Sequence, residues 1–162
     1  MKIYSIILAV LIYGMVALGQ EQVDFKVQLP DSWSLESYSE DENLWVYESK
    51  DSIHQLTVSV LYYSKEPSHS AQGQFLEEYI STQINQISHI ASEPTFTDES
   101  IQEYESAWVA KFQVETSDAM YTSVKAISTK YGIASFYFES HSDKSKHEKV
   151  SATILSTTAF AS

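Results

Sequence analysis

The 162-residue sequence contains no cysteine and no arginine, and only four glycines and three prolines. Without thiols there is no disulfide framework, no thiolate zinc site and no cysteine nucleophile. Without arginine the chain lacks the planar fork best suited to clamping carboxylates or phosphates. Ten lysines face 22 carboxylates, so the formal net charge is -12. That balance excludes the basic patches that neutralise nucleic-acid phosphates, and it disfavours an anionic membrane surface. The few glycines build no phosphate-cradling loop. No G-x-S-x-G elbow, S-x-x-K acylation motif or H-E-x-x-H helix occurs in the mature chain. Asn43 and Asn85 both lie outside any Asn-x-Ser/Thr sequon. There is no internal repeat, no low-complexity linker and no sign of a second domain.

What is present begins with an address. Met1-Lys2 gives a short positive start, and an apolar stretch runs from Ile3 to Leu18, greasiest over Ile6–Ile12. Ala17-Leu18-Gly19 then offers small residues where a signal peptidase inspects them, followed by polar Gln20-Glu21. This is the plan of a secretory signal peptide. A membrane anchor needs about 20 apolar residues. This stretch is shorter, contains Tyr4, Ser5, Tyr13 and Gly14, and lacks a basic stop-transfer cluster. The absent cysteine argues against a bacterial lipoprotein. The expected organisation is a signal peptide over 1–19 and one domain over 20–162, periplasmic or secreted, with no stable membrane span after cleavage. A chain of this size buries enough surface for one core. Export without disulfides leaves its stability to packing.

Along the mature chain, Phe25, Val27 and Leu29 alternate with polar residues, as in a strand with one wet face. Pro30-Asp31-Ser32 breaks it, and residues 33–49 read as a hairpin around the polar tract 39–43. Leu56, Val58, Val60 and Tyr62 then point one way, with Thr57, Ser59, Leu61 and Tyr63 opposite, in a long central strand. After Glu66-Pro67-Ser68 the period changes. Phe75, Leu76, Tyr79, Ile80, Ile84, Ile87 and Ile90 share one half of a helical wheel, predicting an amphipathic helix over roughly 70–90. Glu93-Pro94 closes it. Four more strands are predicted at 95–103, 107–115, 120–128 and 133–139. The last is bulky on both faces, as a strand covered from both sides should be. Ser145 and Glu148 match a capping box, opening a final helix to about 159 that turns Val150, Ile154 and Leu155 inward. Strands with short turns plus two long helices imply an α+β fold with a largely antiparallel sheet.

Candidate chemistry is sparse. His54 opens a strand, His69 precedes the long helix, and His89 lies on its wet face. The one local constellation is His141, Asp143 and His147, which could supply metal ligands. Their spacing is not that of one helical face, and Lys144, Lys146 and Lys149 crowd them, so a solvated loop with a helix cap is the better reading. Glu40-Asp41-Glu42 and the set Asp98, Glu99, Glu103 and Glu105 lack a calcium-loop pattern and read as solvated acidic faces. With 26 serines, a Ser, a His and an Asp somewhere in the chain carry no information. No catalytic, cofactor-binding or metal-ligating residue is assigned, and no cofactor is expected. Of the 21 aromatics, Trp45-Val46-Tyr47 and Tyr62-Tyr63 stand out. Adjacent strand residues point to opposite faces, so one of each pair meets a second layer or forms an exposed aromatic patch.

The opening Phe25-x-Val27-x-Leu29-Pro30-x-x-Trp33, followed by a hairpin, a long strand, an amphipathic helix, four strands and a closing helix, resembles the PsbP-like group. That group includes bacterial DcrB-type periplasmic proteins and the eukaryotic Ran-binding Mog protein. The resemblance spans about 23–160 and implies an antiparallel sheet sandwiched between helices, an α/β/α sandwich. It implies structural roles for Pro30 and Trp33. It also implies non-enzymatic work: binding, assembly or stabilisation of another envelope or secreted protein. The chain departs from DcrB-type lipoproteins in lacking the acylated cysteine, and the metal and photosystem contacts of plant PsbP have no counterparts. Two other functions compete. One is an acidic inhibitor or immunity-type protein neutralising a basic toxin or hydrolase, favoured by the charge. The other is metal-dependent activity using residues 141–148.

Overall fold

The computed structural model describes residues 25–160. The signal peptide expected over 1–19 lies outside that range. Strand β1 (Phe25–Lys26) comes first, then β2 (Trp33–Ser39), β3 (Leu44–Ser49) and β4 (His54–Tyr62). Helix α1 (His69–Ile90) follows, then β5 (Thr95–Glu103), β6 (Trp108–Glu115), β7 (Tyr121–Ser128) and β8 (Gly132–Ser140). Helix α2 (Lys144–Ser156) and β9 (Ala159–Phe160) complete the described chain. Seven strands form one antiparallel sheet in the order β2-β3-β4-β8-β7-β6-β5. The chain lays down one half, crosses over through α1 to the far edge, and returns so that β8 zips onto β4 at the centre.

The alternation of side chains across the sheet creates two apolar layers. Leu76, Ile80 and Ile87 of α1 pack with Ala110, Phe112, Val114, Val124, Ala126, Ile133 and Tyr137. On the opposite face Ile154 of α2 packs with Leu56, Val58, Val60, Ile127, Ala134, Phe136 and Phe138. All nine residues of β8 are buried, as its two bulky faces predict. Gly132 starts that strand because a Cβ there would lie 2.1 Å from the Leu61 carbonyl oxygen. The α+β reading and the main strand positions therefore stand, with one helix on each face.

Details differ, each for a physical reason. The N-terminal alternation pairs with the main sheet nowhere. Instead Phe25 and Lys26 pair with Phe160 and Ala159 in a separate two-stranded ribbon. Phe25, Val27 and Leu29 still point inward, onto the α2-side layer. The last helix stops at Ser156 because Thr157 caps it and the chain turns into that ribbon. Its N-cap is Asp143, whose carboxylate accepts from the Lys146 amide at 2.9 Å, so Ser145 and Glu148 form no capping box. In α1, which Ser68 caps, the buried stripe includes Gln72, Gly73 and Gln83, whereas Phe75 and Ile90 remain exposed. Gly73 is there because the Trp108 ring lies where a Cβ would stand, and the indole N–H donates to the His69 carbonyl at 2.9 Å.

Candidate functional site

The segment 141–148 comes apart as a ligand set. His141 is exposed, Asp143 is committed to the helix cap, and His147 turns inward at 2% exposure. The His147 Nδ1 is hydrogen-bonded to the Ser140 hydroxyl at 2.6 Å and its Nε2 to the Ser123 hydroxyl at 2.8 Å. Ser123 also donates to the Ser151 hydroxyl on α2. Phe138 and Tyr121 flank the imidazole. Both ring nitrogens are thus occupied, and the neutral ring ties α2 to β7 and β8. Burial, with the neighbouring His54 adding to it, pulls the His147 pKa down to about 4. His54 lies stacked against Trp33 and beside Phe138, and burial lowers its pKa too. Among the described residues no group of three or more histidines, aspartates or glutamates converges as metal ligands would.

The sequence did not reveal this Ser–His–Ser network. Its serines come from two strands and its histidine from a helix, and serine is too abundant in this chain for pairing to be read from spacing. The arrangement is a buried fastening. The nearby recess, lined by Tyr121, Lys144, His147 and Glu148 among others, offers only about 10 Å³, roughly the room one water needs. A second fastening lies at the other end of α2, where the Lys125 ammonium donates to the carbonyls of Leu155 and Thr158, both at 3.0 Å. It caps the negative end of the helix. On the α1 side, the Tyr137 hydroxyl donates to Gln83 Oε1 and meets the Tyr79 hydroxyl, which also bonds Ser135.

The carboxylates are spread along solvent. Glu40, Asp41 and Glu42 are exposed on the β2–β3 hairpin tip, and Asp98, Glu99, Glu103 and Glu105 are exposed on or just after β5. Glu103 reaches His69 at 3.2 Å.

The aromatics give the most distinctive surface. Tyr63 packs on the α1-side layer and Tyr62 on the α2-side layer, so that pair is shared between two layers. Trp45 and Tyr47 are not divided between faces as expected: two residues apart on β3, they both lie on the α2-side face. The register there pairs Leu35 with Tyr47, Ser37 with Val46 and Tyr38 with Trp45, leaving Glu36 as the extra residue of a bulge. A bulge resets the alternation of a strand, so Leu35 and Tyr38, three apart, share one face. Tyr38 stacks on Trp45 with centroids 5.2 Å apart, and Phe25 meets the other part of Trp45 edge-on at 4.8 Å. Leu35 and Tyr38 are nevertheless 52% and 47% exposed. The β1–β9 ribbon and α2 cover the rest of this sheet face, and the outer corner formed by β2 and β3 stays open.

No sequence-family profile matches the chain, and no curated protein matches it by sequence. Solved structures do match. Cyanobacterial PsbP (CyanoP) from Synechocystis sp. superposes with a TM-score of 0.57 at 10% identity, covering 92% of this chain and 98% of CyanoP. The fold is PsbP-like. LpqN of Mycobacterium tuberculosis, described as involved in cell envelope biogenesis, matches with a TM-score of 0.55 at 11% identity. That match covers 87% of this chain and 85% of LpqN. The resemblance drawn from the opening motif and element order thus holds for the fold over most of the chain. Among the described residues no helix is long and apolar enough to cross a membrane.

Proposed function

We propose that the chain is an exported, non-enzymatic binding or assembly protein, acting in the periplasm or outside the cell through a surface that engages another envelope or secreted protein. One observation carries this reading: Leu35 and Tyr38 lie half exposed on an outer strand, backed by a stacked tryptophan. Exposed apolar side chains grouped on one face, one of them an aromatic ring held in place, are the kind of surface that protein partners dock onto. The signal-peptide pattern at the N-terminus and the PsbP-like fold support it. Because fold alone does not fix activity, the weight rests on that corner. The test is affinity capture from an envelope extract at moderate salt, with the full chain as bait. A reproducible partner, retained by wild type, is expected. Recovering none, even after chemical crosslinking, ends the proposal.

A second reading, an acidic inhibitor or immunity-type protein against a basic toxin or hydrolase, is favoured by the carboxylates that rim the same corner. It predicts that cells lacking the protein become sensitive to a toxin of their relatives. Unchanged sensitivity across such toxins removes it.

A further inference from the structure

We infer that the occupant of the open β2–β3 corner is an extended segment of another protein that alternates basic with apolar side chains and lies along β2. The inference rests on the proposed binding function and adds the site and the chemistry of the partner. Strand β2 is the last of the seven-stranded sheet, so among the described residues one row of its peptide groups faces no neighbouring strand. Such an edge is a template for an added strand, with main-chain bonds supplying affinity and alternate side chains specificity. Leu35 and Tyr38 offer apolar anchorage on one face of that edge. The Tyr38 ring is already held against Trp45, so docking onto it orders little that is not already ordered.

Charge selects the partner. Glu36 stands exposed at the bulge, and exposed Glu40, Asp41 and Glu42 close the hairpin tip. Glu48 sits across from Ser34 on the neighbouring strand. Between residues 33 and 50 the one lysine is Lys50, beyond the end of β3, and Lys26 follows Phe25, whose ring meets Trp45. A field of one sign draws in cationic chains and repels acidic ones. A second copy pairing through β2 would bring these carboxylates against their own equivalents, so self-association is disfavoured. The opposite edge makes the contrast. Phe96 and Ile101 of β5 pack inward onto the α1-side layer, and Asp98 takes a left-handed conformation in a bulge between Thr97 and Ser100. That edge is acidic as well and, like β2, carries a bulge, so what separates the two edges is that β5 has no exposed apolar anchor along the strand.

The experiment is an amide-shift NMR titration of the protein as purified after export, using a short synthetic peptide alternating lysine and valine. A peptide alternating glutamate and valine serves as control. At near-physiological salt the lysine peptide is expected to saturate shifts confined to β2 and β3. Tyr38→Ser should weaken it by about tenfold while lowering the melting temperature only slightly, through the lost stacking on Trp45 at the sheet edge. Glu36→Gln should weaken it and flatten its salt dependence. Shifts spread evenly over the acids of β5 and α1, indifference to Tyr38→Ser, equal binding of the glutamate peptide, or dimer formation through β2 each overturn the inference. If affinity capture yields a partner but the peptide does not select β2, the corner assignment fails and the binding function stands. If capture yields nothing, the binding function itself has failed.

Discussion

Acidification should unfasten α2, and His147 sets the scale. The imidazole is neutral in the fold, with both nitrogens engaged by Ser123 and Ser140. Its pKa falls from an ordinary 6.5 to about 4, chiefly through burial. The folded value lies below the unfolded one, so the unfolded chain takes up the proton first. The contribution of the neutral ring is therefore complete above pH 6.5, is lost progressively as pH falls toward 4, and is gone below 4. At about 1.4 kcal/mol per tenfold change, that loss amounts to about 3 kcal/mol, a large part of the stability of a typical single domain. His54, lowered in the same direction by its own burial, adds to it. The assay is urea unfolding at pH 7, 6, 5 and 4 for wild type and His147→Gln. Comparing the two removes the shared effect of the many surface carboxylates. Wild type should lose about 3 kcal/mol more than the variant across this range, and the His147 ring should titrate near pH 4 by NMR. Parallel stability curves, or an imidazole titrating near 6.5, would refute the argument.

Other substitutions probe the fold. Gly132→Ala drives a methyl into the Leu61 carbonyl between the two central strands and should cost about 3 kcal/mol or more by chemical denaturation. Gly73→Ala meets the fusion carbons of the Trp108 indole, the nearest at 2.7 Å, so a milder loss of about 1–3 kcal/mol is expected, with altered tryptophan fluorescence. Asp143→Ala should lower stability by about 1 kcal/mol, whereas Ser145→Ala should be nearly neutral in the same melts. Lys125→Met removes the donor shared by the Leu155 carbonyl in the last turn of α2 and the Thr158 carbonyl just beyond it. It should speed amide exchange in the last turn of the helix and cost about 1–3 kcal/mol.

Long periodic segments were legible because period and burial coincide there. The alternation of residues 56–63 fixed both faces of β4, and 133–138 announced a strand buried on both sides. The ribbon of β1 and β9 was not legible, since two residues on each side carry no period and their pairing joins segments more than 130 residues apart in sequence. The half-wheel of α1 overreached at Phe75 and Ile90. The stripe that touches a sheet is narrower than a half circle, and the close approach of Trp108 draws small and polar residues into it. At the start of α2, Ser145 and Glu148 satisfied a pattern that Asp143, one residue before the helix, pre-empted. The open corner was not legible: the aromatics that the sequence singled out, Trp45, Tyr47, Tyr62 and Tyr63, are all partly buried, and the exposed side chains are Leu35 and Tyr38. Its geometry depends on the bulge at Glu36, which puts Leu35 and Tyr38 on one face, and no alternation rule anticipates that extra residue.

The most direct test of the binding account is site-specific photocrosslinking in the living source cell, with a photoreactive side chain replacing Tyr38 in one strain and Tyr104, exposed beyond the opposite edge, in another. The account predicts a discrete protein adduct from position 38 and none from position 104. An adduct only from 104, or none from 38 under conditions where the protein is exported and folded, contradicts it.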